Sequence, residues 1–213
     1  MMKMIDILKD TMKARSALYG ISAALLDEPD ATRIAVYKAL IHAFMETLTG
    51  DDDLREEFSE SLAAMPDNFD IDELKLTHTK IFCMKSSVGK TASVYDTPDR
   101  LIKREPWTNV RAFYAKCGYQ PTREDGLEDS MPMELAFMAQ QSDSASVKTD
   151  IADIIESAKI QREFLNDHLS IWADDYFNDV IEAGSDSVYE GIARSMKSFI
   201  RYDTYLLENL VEG

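Results

Sequence analysis

Glycine, proline and cysteine are scarce in this sequence: its 213 residues include 8 Gly, 6 Pro and 2 Cys. An all-β protein needs glycine and proline at frequent tight turns, so the composition argues against that class. The two cysteines, Cys83 and Cys117, lie far apart and outside any CxxC pair, which argues against a zinc or redox motif. We expect two reduced and largely buried thiols.

Long apolar runs are also missing. No stretch approaches the roughly 20 apolar residues that cross a bilayer as a helix. The N-terminal segment lacks the uninterrupted apolar region of a secretory signal peptide. The sequence therefore predicts a cytoplasmic protein without an integral membrane segment.

Positive charge is the third shortage. Lys and Arg number 23 against 39 Asp and Glu, which gives a formal net charge of -16. A surface this acidic repels phosphate backbones, so nucleic acid is excluded as a partner, whereas a basic partner would be attracted. With 45% hydrophobic residues the chain is still globular in composition.

The periodicity of the apolar residues is helical. Asp30 and Gly50 are positioned as start and stop signals around one apolar stripe, formed by Ile34, Tyr37, Ile41, Phe44 and Leu48. Apolar residues spaced from Ile5 to Leu25 predict one long or broken first helix. Similar patterns predict a helix that begins at about residue 51 and further helices at 70–82, 107–117, 131–141, 150–168, 169–183 and 187–210. The sequence predicts an all-α protein: a single globular multi-helix domain over residues 1–213, with a long loop at about 84–106. A connection of that length is usually functional or mobile.

An enzyme is one hypothesis that the residues leave open. Gly89, Lys90 and Thr91 resemble part of a phosphate-binding loop, but Met84 stands where its first glycine is needed and Pro98 follows too soon. The histidines stand alone, so no zinc site is predicted; they are His42, His78 and His168. A metal- or nucleotide-dependent helical enzyme is therefore the alternative to a binding protein.

Acidic residues and methionines gather in "EDGLEDSMPMELAFMAQQ", residues 124–141. Between Tyr119 and Ile154 the only basic residues are Arg123 and Lys148, against eight acidic ones. Methionine-rich surfaces adapt to varied apolar partners, and carboxylates pair well with arginine. The segment predicts a binding site for a basic peptide that has an apolar half.

Two other interpretations of this segment stand beside that prediction. A helix start accounts for part of the pattern, because Asp129 or Ser130 is positioned as a cap and Pro132 lies in the first turn. A general helical adaptor for some other basic partner, which needs no apolar groove, is the second.

The same segment resembles the TorD/DmsD/NarJ family, the cytoplasmic chaperones of molybdenum oxidoreductases. That family carries an acidic E-D-H followed by E-L-x-F-M. The matching residues here are Glu128, Asp129, Ser130 in place of the histidine, Glu134, Leu135, Phe137 and Met138. Further family motifs follow the same order, in "SVYDTPDRL", "VRAFYAKCG", "FLNDHLSIWADDYF" and the closing "VYEGIARSMKSFIRYD". The resemblance runs from about Leu74 to Asp203.

The resemblance implies an all-α chaperone that is not an enzyme, with no catalytic residues, metal or cofactor of its own. Such a protein binds the twin-arginine signal peptide and the apo form of a molybdopterin-containing catalytic subunit, and delays export until the cofactor is loaded. Family members include monomers and domain-swapped dimers. The residues implied in peptide binding are Glu128, Asp129, Ser130, Met131, Met133, Glu134, Phe137 and Tyr95. For Tyr95, packing in the core is the favoured alternative.

Overall fold

The computed structural model describes residues 3–84, 87–121 and 126–212. Within these ranges the regular elements are all helices, which confirms the all-α prediction. In chain order they are α1 (Met4–Asp27), α2 (Ala31–Thr47), α3 (Asp52–Ala63), α4 (Ile71–Phe82), α5 (Ala92–Tyr95), α6 (Glu105–Lys116), α7 (Met131–Ser146), α8 (Ile151–Phe164), a π-helical turn (Leu165–Leu169), α9 (Ser170–Ala183) and α10 (Val188–Glu212). None of these helices is long and apolar enough to cross a membrane.

Aspartate side chains start four of the helices. They are Asp30, Asp51, Asp70 and Asp150, and each accepts a hydrogen bond from a backbone N–H in the first turn of the helix that follows. These bonds satisfy amides that have no partner within the helix. Because the signal is local, the starts of α2 and α4 were predictable from sequence.

The helices pack around one core, in which α1 lies along α7 and α10 contacts α3, α8 and α9. A buried ion pair joins α1 to α10: the Arg15 guanidinium donates to Asp203 Oδ2 at 2.8 Å. Tyr19 donates to the same oxygen at 2.7 Å, and Gln161 of α8 accepts from Arg15. These bonds offset the desolvation cost of the pair. Removing either partner would leave the other as an unpaired buried charge.

Two helical glycines lie where helices approach each other closely. A β-carbon at Gly191 in α10 would lie 2.4 Å from the backbone oxygen of Ser61 in α3 and 2.3 Å from Met65 Cγ. A β-carbon at Gly20 in α1 would meet the Ala139 Cβ of α7 at 3.5 Å, an ordinary van der Waals distance. The α3–α10 contact therefore requires glycine, whereas the α1–α7 contact does not.

The segment predicted as a long loop, 84–106, is shortened by local structure. One helical turn, α5, lies inside it, and α6 begins at Glu105. Thr91 is buried and pairs with Ser130 in an antiparallel bridge. Lys85 and Ser86 lie outside the described residues. This local structure was not predictable from the sequence, because it depends on contacts with residues about 40 positions further along the chain.

The prediction that both cysteines are largely buried is wrong. Cys83 is exposed and Cys117 is half-buried, and both are free thiols. Each directly follows the last residue of an amphipathic helix, α4 and α6 respectively, where the apolar face no longer continues.

Candidate peptide-binding site

The methionine-rich start of α7 lies in the core. Met131, Met133 and Phe137 are at most 3% exposed, and the Phe137 ring contacts Phe113 and Phe164. The sequence interpretation placed these side chains on an exposed apolar surface. That expectation is wrong, because α7 packs against α1 and α8. The assignment of these residues to peptide binding stays a prediction.

Asp129 joins the α5 turn to the start of α7. Its Oδ2 accepts hydrogen bonds from the Ser93 N–H at 2.9 Å and the Ser93 hydroxyl at 2.6 Å. Its backbone oxygen accepts from the Ala92 N–H at 2.8 Å. Burial raises the pKa of the Asp129 carboxyl, and the bonds from Ser93 oppose that rise. In this conformation Asp129 stabilises the loop.

Glu128 keeps 18% of its side chain exposed and already holds an arginine. Its Oε1 lies 3.2 Å from Arg111 Nε, and its Oε2 accepts from Trp107 Nε1 at 2.6 Å. The Arg111 guanidinium also lies 4.3 Å from the centre of the Trp107 ring, a cation–π distance. The local count of basic residues missed this partner because Arg111 comes from α6.

A cavity of about 250 Å³ lies between the α5 turn, α6, the π-helical turn and α9; we call it the acidic cavity. Its walls carry the exposed carboxylates of Asp96, Glu105 and Asp167, and apolar atoms of Val110 and Ile171. No lysine or arginine is among the described residues that line it. A concave site with walls of one sign of charge favours a ligand of the opposite sign, here a cation.

Glu134 reaches the acidic cavity from α7 and is fully buried. Trp172 Nε1 donates to Glu134 Oε2 at 3.2 Å, whereas Oε1 has no hydrogen-bond partner among the described residues. Burial raises the pKa of Glu134 well above its ordinary value, while the bond from Trp172 acts in the opposite direction. The buried carboxyl is therefore biased toward its neutral form.

The π-helical turn places Asp167 and His168 at the acidic cavity. The His168 ring packs against Phe113 and Phe164, and burial lowers its pKa, which favours the neutral imidazole. Turns of this kind are frequent at functional sites. Hydrophobic periodicity located the two flanking helices but gave no signal for the wider turn between them.

Two other predicted site residues have structural contacts of their own. Tyr95 packs beside the Trp172 ring and donates its hydroxyl to Asp179 at 2.7 Å. Ser130 occupies the cap position before α7, yet its side chain makes no capping hydrogen bond. Glu124 and Asp125, which open the acidic segment, lie outside the described residues.

The residues that sequence reasoning missed come from α6. Trp107 and Arg111 are four positions apart, a spacing that places side chains on the same helix face. That spacing was visible in the sequence, but nothing local connected it to Glu128. Glu105 is likewise far along the sequence from Glu134 and Asp167, two carboxylates that share the cavity with it.

The features behind the enzyme hypothesis do not come together. Thr91 of the Gly-Lys-Thr stretch is buried, and the helix that follows it, α5, has four residues, too short to offer the amide groups and dipole of a phosphate site. Within residues 3–84, 87–121 and 126–212, no group of three or more His, Cys, Asp or Glu side chains is arranged to hold a metal ion.

Comparison with known proteins identifies the family. The model for the nitrate reductase delta subunit family matches residues 49–178, and the chain belongs to that family. The resemblance to the NarJ and TorD chaperones is thereby confirmed, and membership supports a chaperone role in the maturation of redox enzymes. A solved structure described as a redox enzyme maturation protein from Archaeoglobus fulgidus is similar over 98% of this chain and 96% of its own, at 16% identity and a TM-score of 0.47. No curated protein sequence matches the chain.

Proposed function

We propose that this protein is a cytoplasmic chaperone that binds the twin-arginine signal peptide of a molybdenum oxidoreductase's catalytic subunit. By holding that peptide, together with the apo-subunit, it delays export until the molybdopterin cofactor has been loaded. It acts by binding and not by catalysis. Family membership supports the general role, and the arginine already held by Glu128 is the observation that carries the peptide specificity.

The contacts of Glu128 provide a pattern for recognising arginine. A carboxylate and an aromatic face contact one guanidinium group, that of Arg111, while the indole N–H of Trp107 donates to the carboxylate and holds it in place. A planar guanidinium suits both the carboxylate and the ring, whereas a lysine ammonium is a compact point charge. An arginine of the signal peptide would take the place of Arg111 in this arrangement.

The apolar half of a signal peptide needs exposed apolar atoms near the same face. With the methionines of α7 buried, the candidates are Leu101 and Ile102, both about half exposed in the segment before α6, and Ile171 at the acidic cavity. The net charge of -16 adds a long-range attraction for the basic end of the peptide, and salt will weaken it.

Titration calorimetry with twin-arginine signal peptides encoded beside this gene tests the proposal. Each peptide is compared with a version in which both arginines are replaced by lysine, and we expect much tighter binding of the arginine form. The Glu128→Gln variant should lose that preference. Glu190→Gln is a matched control, because Glu190 is also paired with an arginine and its side chain is 16% exposed. Equal affinity for the two peptide forms would contradict the proposed role of Glu128.

A further inference from the structure

The acidic cavity contains a polar atom that the fold does not satisfy. Glu134 of α7 lines the cavity, and its Oε1 is fully buried without a hydrogen-bond partner among the described residues. Trp172 satisfies the other oxygen of the same carboxyl group, so the side chain is held in place with one oxygen left over. Most buried polar groups in proteins have a partner, so an orphan of this kind beside a cavity indicates a ligand position.

The surroundings of Glu134 indicate the charge of that ligand. Asp96 extends from the end of α5, Glu105 from α6 and Asp167 from the π-helical turn. Three carboxylates around one cavity, with no lysine or arginine among the described lining residues, favour a cation over an anion or a neutral ligand. The neutral form of Glu134 fits a cavity without its ligand, because burial disfavours its charge.

We propose that the acidic cavity binds the guanidinium group of an arginine, and that Glu134 releases its proton to solvent as the guanidinium enters. The inference rests on the proposed function and adds a second arginine position to it, separate from the one at Glu128. In the bound state the ionised carboxylate accepts from the guanidinium through Oε1 while Trp172 keeps Oε2. One proton leaves for each arginine bound, and the charge of the pair is balanced.

The size and walls of the cavity favour arginine over lysine. A space of about 250 Å³ holds a guanidinium and part of its three-carbon stem. Val110 and Ile171 supply apolar wall for that stem, and Pro106 adds to it. Arginine is also the more weakly hydrated cation and the better partner for a desolvated carboxylate.

Two arginines in succession would then meet two different carboxylates. Each carboxylate is hydrogen-bonded by a tryptophan, Glu128 by Trp107 and Glu134 by Trp172. These are the two tryptophans of the chain, so each site has its own fluorescent reporter. The pairing allows the two positions to be observed separately.

Other ionisable groups near Glu134 bear on the pH dependence. Asp129 on the preceding turn raises its pKa further. Tyr114 of α6 interacts with it electrostatically and has a strongly raised pKa of its own because it is buried. Burial lowers the pKa of His168, which favours its neutral form, and the neutral imidazole does not repel a cation. Asp96, Glu105 and Asp167 complete the set that faces the cavity.

The test is a fluorescence titration of the Trp107→Phe protein, in which Trp172 is the remaining tryptophan. The probe is N-acetyl-arginine amide, titrated from pH 5.5 to 8.5 at fixed ionic strength, with N-acetyl-lysine amide for comparison and equilibrium dialysis as a second readout. We expect the arginine probe to bind more tightly as pH rises, approaching about tenfold per pH unit below the pKa of Glu134, because one proton is released. The lysine probe should bind several times more weakly.

Variants separate Glu134 from its neighbours. Glu134→Gln in the same background should remove the pH dependence, while His168→Asn and Glu128→Gln should keep it. An affinity that does not change with pH, no saturable binding by either readout, or a slope that survives in Glu134→Gln would each overturn the inference. The slope in the parent protein is informative even if Glu134→Gln does not fold.

The outcome also separates this inference from the proposed function. A signal peptide that binds in an arginine-dependent way without involving Glu134 would overturn the second site and leave the chaperone role standing. An arginine probe that binds with proton release, in a protein that ignores twin-arginine peptides, would support the cavity site and overturn the proposed function.

Discussion

Replacing Arg111 by alanine is expected to strengthen signal-peptide binding. In the free protein Arg111 occupies Glu128 and the Trp107 ring, so a peptide arginine must displace it first. Truncating Arg111 removes this internal competitor and also removes a positive charge that repels the basic end of the peptide. Both effects act in the same direction.

The size of the effect follows from the exposure of the pair. The Arg111 side chain is 51% exposed, and exposed ion pairs contribute about 0–1 kcal/mol. A cation–π contact at such a site adds about 0.5–1 kcal/mol. Displacement therefore costs about 0.5–2 kcal/mol, which corresponds to roughly a 2- to 30-fold change in an equilibrium constant. We expect Arg111→Ala to bind the peptide at least about twofold more tightly, the lower end of that range.

Fluorescence anisotropy of a labelled twin-arginine peptide measures this change. Arg194→Ala is the control, because Arg194 is 45% exposed and pairs with Glu190 in the same way, but on α10. Arg194→Ala should change the affinity for the peptide only through the net charge of the protein, and this change should vanish at high salt. Unchanged or weaker binding by Arg111→Ala would refute the idea that Arg111 stands in for the peptide arginine.

Further predictions concern stability, each measured by urea unfolding. Gly191→Ala should destabilise the protein by about 1–3 kcal/mol, because the added methyl group overlaps α3. Gly20→Ala should be neutral or stabilise the protein by up to about 1 kcal/mol through helix propensity. Equal effects of the two substitutions would contradict the packing argument. Asp203→Asn should cost about 3–5 kcal/mol, since it leaves the buried Arg15 without its carboxylate, and a loss below about 1 kcal/mol would contradict that account. Glu134→Gln should become more stable relative to the parent as pH rises above the ordinary pKa of a glutamate. Over that range the native state keeps the Glu134 proton while the unfolded state releases it, so parental stability falls as pH rises. A stability difference between variant and parent that does not change with pH would contradict the raised pKa of Glu134.

The helices were predictable because their signals are local. Asp30 and Asp70 cap the helices that follow them, and the apolar stripe after Asp30 is the face that α2 buries. Predicted ranges differ from the observed ones mainly at their ends. The break in the helical pattern at 84–106 was also visible in the sequence. The α5 turn within it was not visible, because it is held by hydrogen bonds to Asp129.

The burial and contacts of the candidate site residues were predicted less well than the helices, while their role in peptide binding stays a prediction. The acidic segment was correctly singled out as unusual, yet its methionines proved to be core and its Asp129 a structural clamp. A run that reads M-P-M-E-L-A-F-M is compatible with a surface stripe or with a helix buried on nearly all sides. Only the packing of α1 and α8 against α7 distinguishes these two possibilities.

The sequence alone determined the helical class, the positions of most helices, the excess of negative charge and the family resemblance. These depend on composition, on spacing within about one helical turn and on short motifs. The tertiary structure decided which carboxylates meet which partners. Arg111 reaches Glu128 from another helix, Glu134 is buried beside a cavity, and Asp167 arrives on a π-helical turn. Burial and charge pairing are set by distant parts of the chain, and a protonation state follows from them and not from residue type alone.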